Sequence, residues 1–104
     1  MDILFFNLRI EKFLLSLEKS TQSKVGKQIK MLQEFGNILG MPYSKQIGRR
    51  LYELRIRGNQ EVRILYTFYS NRAYIVHAFV KKTQKTPAKE IWLALERIKL
   101  LTSI

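Results

Sequence analysis

Leu51-Tyr-Glu-Leu-Arg-Ile-Arg57, Glu61-Val-Arg-Ile-Leu-Tyr-Thr-Phe-Tyr69 and Ala73-Tyr-Ile-Val-His-Ala-Phe-Val-Lys81 form the stretch that decides the fold. From Leu51 to Lys81 the even positions Tyr52, Leu54, Ile56, Val62, Ile64, Tyr66, Phe68, Tyr74, Val76, Ala78 and Val80 are apolar or aromatic. The odd positions include Glu53, Arg55, Arg57, Glu61, Arg63, Thr67, His77 and Lys81. Alternation with a period of two marks an antiparallel sheet with one face on a core and the other toward solvent or a ligand. Turn residues at Gly58-Asn59-Gln60 and Ser70-Asn71-Arg72 cut the stretch into three strands.

Upstream the period lengthens. Ile10, Phe13, Leu14 and Leu17 make the stripe of one amphipathic helix, and Val25, Ile29, Leu32 and Phe35 that of a second, ended by Gly36. Ser20-Thr21 separates the two and offers an N-cap, which predicts an αα-hairpin. Ile3–Phe6 reads as a short strand, and Asn37–Gly48, with Gly40 and Pro42, as loop. Downstream, Thr86 is expected as N-cap and Pro87 as first residue of a last helix. Its buried stripe would be Ala88, Ile91, Leu95 and Ile98, with Trp92 on the packing surface. Tyr66 and Tyr74 fall on the core parity. The fold class is therefore α+β. An N-terminal strand and αα-hairpin pack on a mainly antiparallel sheet of three to four strands, followed by a C-terminal helix, all in one domain over residues 1–104.

The bulk numbers narrow the function. Nineteen Lys+Arg against eight Asp+Glu give a formal charge of +11, which points to an anionic partner. There is no cysteine and a single histidine, so disulfides, thiolate chemistry and a credible metal-ligand set are not expected, nor is a cofactor. The N-terminal residues do not look like a signal peptide, and no apolar run approaches the roughly 20 residues of a spanning helix. A soluble, cytoplasmic protein without membrane contact is expected.

Three-residue turns set the register of the polar face. Arg55 then stands opposite Arg63, Arg63 opposite Phe79, Leu65 opposite His77 and Glu61 opposite Lys81. Like charges apposed on a sheet are unfavourable by roughly 0.2–1 kcal/mol, and folding gives no reason for them. Arginine forks hold phosphate, and aromatic or imidazole faces stack unpaired bases. The reading is an RNA site made of Arg55, Arg57, Arg63, His77, Phe79 and Lys81, extended by Lys82, Gln84 and Lys85. The N-terminal amides of the last helix point toward the same end. The plainer alternatives are a solvated basic face, a packed His77, and Glu53 and Glu61 as cross-strand partners of the arginines.

The segments Leu51–Arg55, Val62–Tyr66 and His77–Pro87, the last containing Phe-Val-Lys-Lys-Thr-Gln-Lys-Thr-Pro, resemble the RelE/ParE toxin superfamily, and within it the HigB-like, phage-associated branch. The resemblance runs from about Ile3 to the end. It implies the toxin of a type II toxin–antitoxin pair, a metal-independent endoribonuclease (mRNA interferase) that cuts mRNA on the ribosome. Its partner would be a cognate antitoxin, often of helix-turn-helix type. By position, Arg55, Arg63 and Lys82 fall on the family's cationic sites, and Lys85 joins them as a candidate catalytic residue. Glu53 stands where RelE itself often carries a base, and the tyrosine some members place near the last helix has no counterpart in Thr86-Pro87-Ala88. Crowded cations would lower a lysine pKa and fit Lys81, Lys82 or Lys85, besides His77, for proton transfer. Two alternatives remain: a ParE-like toxin acting on DNA gyrase, and a nucleic-acid-binding module without catalysis.

Overall fold

A computed structural model describes residues 1–103. The elements are β1 (Asp2–Phe5), α1 (Leu8–Leu15), α2 (Lys19–Phe35), a 3-10 turn (Gly36–Ile38), β2 (Ser44–Gly48), β3 (Leu51–Ile56), β4 (Val62–Tyr69), β5 (Arg72–Val80) and α3 (Ala88–Thr102). The sheet has five strands in the order β1-β5-β4-β3-β2, one more than the upper expectation. The additional strand, β2, lies inside the stretch read as loop. It is a short edge strand whose Lys45-Gln46 carries no alternating apolar signal. β1 joins the opposite edge parallel to β5, and all other pairings are antiparallel.

Each face of the sheet has its own core. Leu54, Ile56, Val62, Ile64, Tyr66, Ala73, Ile75 and Ala78 meet Ile10, Leu14, Leu17, Val25 and Leu32 from the helical hairpin. On the other face Leu51, Leu65, Val76 and Phe79 meet Ala94 and Ile98 of α3. The face expected to be free is thus covered over part of its area. Burial of this apolar surface, roughly 25 cal/mol per Å², holds the three helices to one sheet.

The β4–β5 hairpin explains which residues changed faces. Tyr69 pairs with Arg72, so the turn is the two-residue Ser70-Asn71, both residues having positive φ (53° and 61°), as a type I′ turn requires. Toward the site Leu65 pairs with His77 and Arg63 with Phe79, the register expected for a three-residue turn. A bulge between Leu65 and Tyr66 absorbs the one-residue difference, leaving Val76 as the extra residue. Tyr74 and Val76 consequently pack against α3 rather than the hairpin, whereas Tyr66 is buried on the hairpin side as expected.

The helix boundaries also depart from expectation. α2 starts at Lys19, with Glu18 as a cap that makes no side-chain hydrogen bond, and Thr21 is buried within it. Phe35 at its end is exposed, and Gly36 closes it with φ 54°. α3 is capped by Pro87 and begins at Ala88, which is exposed. Thr86 hydrogen-bonds Glu53 instead of capping the helix. Trp92 is 62% exposed and outside the packing surface.

Candidate nucleic-acid interface

The β3–β4 hairpin places the arginines. Arg55 and Arg63 are directly apposed, and Lys81 donates its backbone N–H to Glu61 O at 2.7 Å, which sets the end of β5 beside the hairpin. Together with the following loop these strands enclose an open cavity of about 840 Å³, lined by Arg55, Arg57, Arg63, Lys81 and Lys82 with Asn59, Gln60, Glu61, Val80, Thr83 and Gln84. Five cations against one carboxylate give it a positive potential that would favour an anion. A smaller hollow of about 250 Å³ adjoins it and shares Arg55, Lys81 and Gln84. Lys45, Glu53, Lys85 and Thr86 also line this hollow.

The cations differ in what they can reach. Arg57 is 63% exposed and pairs loosely with Glu61 at 3.4 Å. Arg55 is 20% exposed and donates from Nε to Glu53 Oε1 at 3.2 Å. Arg63 is 1% exposed, with Glu53 and Glu61 each 3.6 Å from its guanidinium, and its Nη1 donates to Val62 O. Its Nε has no acceptor within hydrogen-bond distance. Burial pushes the Arg63 pKa below its ordinary value, and Arg57 and Arg55 act in the same direction. Glu53 and Glu61 oppose the shift. A guanidinium stays charged under such a shift. Arg63 is therefore a buried charge that underlies the cavity and fixes two carboxylates, a more recessed position than its expected role as a phosphate clamp supposes.

Lys82, Gln84 and Lys85 are exposed on the loop after β5. Lys81 Nζ donates to Gln84 O at 2.7 Å, and Thr83 Oγ1 to Lys85 O at 2.6 Å, so the loop is internally braced. His77 and Phe79 are elsewhere. Phe79 is 8% exposed in the second core, and the His77 ring stacks on it at 5.6 Å. The surface expected to stack a base is occupied by α3. His77 Nε2 lies 3.3 Å from Glu90 Oε1 in the first turn of α3, and Nδ1 lies 3.4 Å from Arg97. The plainer reading of His77 as a packed residue fits this placement.

Burial lowers the His77 pKa, assisted by Arg97, while Glu90 pulls it up. A histidine whose folded pKa lies below its unfolded value favours the neutral form in the fold. Its contribution is intact above the unfolded pKa of about 6.5 and is lost as pH falls from there toward the folded pKa. We expect the thermal midpoint to drop between about pH 7.5 and 5.5, with a smaller drop in His77→Asn. Equal pH slopes for the two proteins would refute this account.

Several cavity residues carried no signal in the sequence. Lys45 lies in the unrecognised β2, Thr86 reads naturally as a cap, and Asn59 and Gln60 look like turn residues. Among the described residues no group of three or more His, Asp and Glu is placed to hold a metal ion, and no helix is long and apolar enough to cross a membrane.

A small α+β domain with a cation-lined cleft at the end of a twisted sheet defines the class. The family model "Phage derived protein Gp49-like (DUF891)" matches residues 12–99. The chain belongs to this phage-derived Gp49-like family. Two solved structures share its fold, both described as YoeB–YefM complexes from Staphylococcus aureus, one of them as a heterotetrameric toxin–antitoxin complex. The heterotetramer chain is 20% identical with a TM-score of 0.54, over 72% of this chain and 90% of that one. The second is 20% identical with a TM-score of 0.56, over 80% and 97%. No curated protein matches the chain.

Proposed function

We propose that this protein is the toxin of a type II toxin–antitoxin pair and acts as a metal-independent endoribonuclease on ribosome-bound mRNA, in the manner of the HigB-like branch. The observation that carries the reading is the cavity that gathers Arg55, Arg57, Lys81 and Lys82 above the buried Arg63. Family membership and the shared fold support the toxin assignment. One of the two structural relatives is described as a toxin–antitoxin complex and the other as a complex of the same two proteins, which supports an antitoxin as partner here, of helix-turn-helix type in the branch the sequence resembles. The site of action would be the cytoplasm.

In this mechanism the RNA 2′-hydroxyl attacks the adjacent phosphorus and the 5′-oxygen of the next nucleotide leaves. Arg55 and Arg57 hold the phosphate and offset the charge that accumulates on it, the type of stabilisation that is often the largest single contribution to catalysis. Lys82 and Lys85 are the candidates to take the 2′ proton and supply one to the leaving oxygen, a role typically contributing about 10²–10⁴ in rate. The ribosome supplies alignment of the RNA, which lets a modest site work. With Phe79 covered, base contacts fall to the amides of Asn59, Gln60 and Gln84, which can hydrogen-bond base edges.

The test is cleavage of a reporter mRNA in a reconstituted translation reaction, with naked RNA as control. Cleavage confined to translated mRNA is expected. Growth arrest with intact mRNA would instead favour the gyrase reading, which a supercoiling assay would then decide. RNA binding with neither effect would leave a binding module.

A further inference from the structure

The buried carboxylate of Glu53 faces two parts of the site at once. Oε1 accepts from Arg55 Nε at 3.2 Å and lies 3.6 Å from Arg63 Nε. Oε2 accepts from Thr86 Oγ1, across from the sheet on the loop that brings Lys82 to the cavity and Lys85 to the adjoining hollow. The Lys81–Gln84 and Thr83–Lys85 bonds lie within this loop. Its backbone bond to the sheet, from Lys81 N to Glu61 O, is at its very start. Among the described residues, the side-chain hydrogen bond that joins the loop to the sheet arginines is the one between Thr86 and Glu53. A carboxylate at 2% exposure in a basic protein is costly to bury unless it is fully paired, and here each oxygen has its own task.

We propose that Glu53 is a positioning residue, a latch that sets the Lys82–Lys85 loop against Arg55 and Arg63 so that phosphate-holding and proton-moving groups meet one RNA linkage. This rests on the proposed ribonuclease function and deepens it. An acid in a site that binds phosphate works against affinity, so its contribution lies in geometry. The amide of glutamine keeps the shape of Glu53 but not its charge: with its oxygen turned to the arginines its NH2 meets Thr86 Oγ1, and neutral hydrogen bonds of about half the strength replace charge-assisted ones on both sides of the latch.

Glu53→Gln, Thr86→Val and Thr86→Ser would be compared with wild type for kcat and KM in the translation assay, and for amide heteronuclear NOEs in the full chain. Glu53→Gln and Thr86→Val should lower kcat roughly 10- to 100-fold, as expected for small displacements of reacting groups. KM should stay equal or fall, because Glu53→Gln removes a negative charge from the cleft and Thr86→Val leaves its charges unchanged. Thr86→Ser should restore the rate. Residues 82–86 should become mobile in the first two variants while β3 and β4 stay rigid. An active wild type whose two variants keep kcat would overturn the latch, as would a loop that stays ordered in both. If wild type cuts no RNA, the function reading falls separately, and the NOEs alone decide whether Glu53 holds the loop.

Discussion

Arg63→Ala is expected to lower the unfolding free energy by about 3 kcal/mol, near the lower end of what removing one member of a buried ion pair costs. The guanidinium is 1% exposed, and its removal leaves both a void and two carboxylates short of a partner. Glu53 keeps Arg55 and Thr86, and Glu61 keeps Arg57, which is why the upper end of the range is not expected. Arg57→Ala is the natural contrast. Its pair with Glu61 is solvent-exposed, and such pairs contribute about 0–1 kcal/mol. Chemical denaturation of the two variants should therefore separate them clearly. Equal midpoints would mean that Arg63 is as dispensable to folding as a surface charge. Loss of cleavage in Arg63→Ala has meaning only at a temperature where the variant is shown to be folded.

The second large effect concerns catalysis. Arg55→Ala should reduce cleavage by roughly 10²–10³, the loss usual when one preorganised donor to a developing charge is removed. Lys82→Ala should reduce it within the 10²–10⁴ typical of a proton-transfer group. Lys82 is exposed and Arg55 only partly buried, so neither replacement should disturb folding as Arg63→Ala does. Single-turnover cleavage on programmed ribosomes measures both. Full rates in Lys82→Ala and Lys85→Ala would remove the lysine loop from the mechanism. An undiminished rate in Arg55→Ala would remove the sheet face.

Much of the site's frame was legible in the sequence because period-two patterning fixes register wherever one face is buried. Arg55 opposite Arg63 follows from counting across the Gly58–Gln60 turn and is observed, whereas Arg63 opposite Phe79 and Leu65 opposite His77 are observed because the bulge makes up for a second turn one residue shorter than expected. Counting failed beyond Leu65, where the bulge shifts Tyr74 and Val76 to the other face without any glycine or proline to mark it. β2 escaped because an edge strand can be short and polar, its neighbouring Gly40 and Pro42 reading as punctuation. Least legible was depth. Arginines of the same parity on one sheet face look equivalent in sequence, yet Arg63 is sealed by two glutamates while Arg57 stands in solvent. His77 and Phe79 share that parity too, but α3 covers them, a matter of tertiary packing that alternation does not encode.

The bulge at Val76 has a consequence for how such a chain can vary. It divides the β4–β5 hairpin into a half registered to the Ser70–Asn71 turn and a half registered to the arginines. A residue gained or lost at the turn can be taken up at this joint by moving or removing the bulge. Drift at one end of the hairpin then need not change which side chains stand face to face at the other.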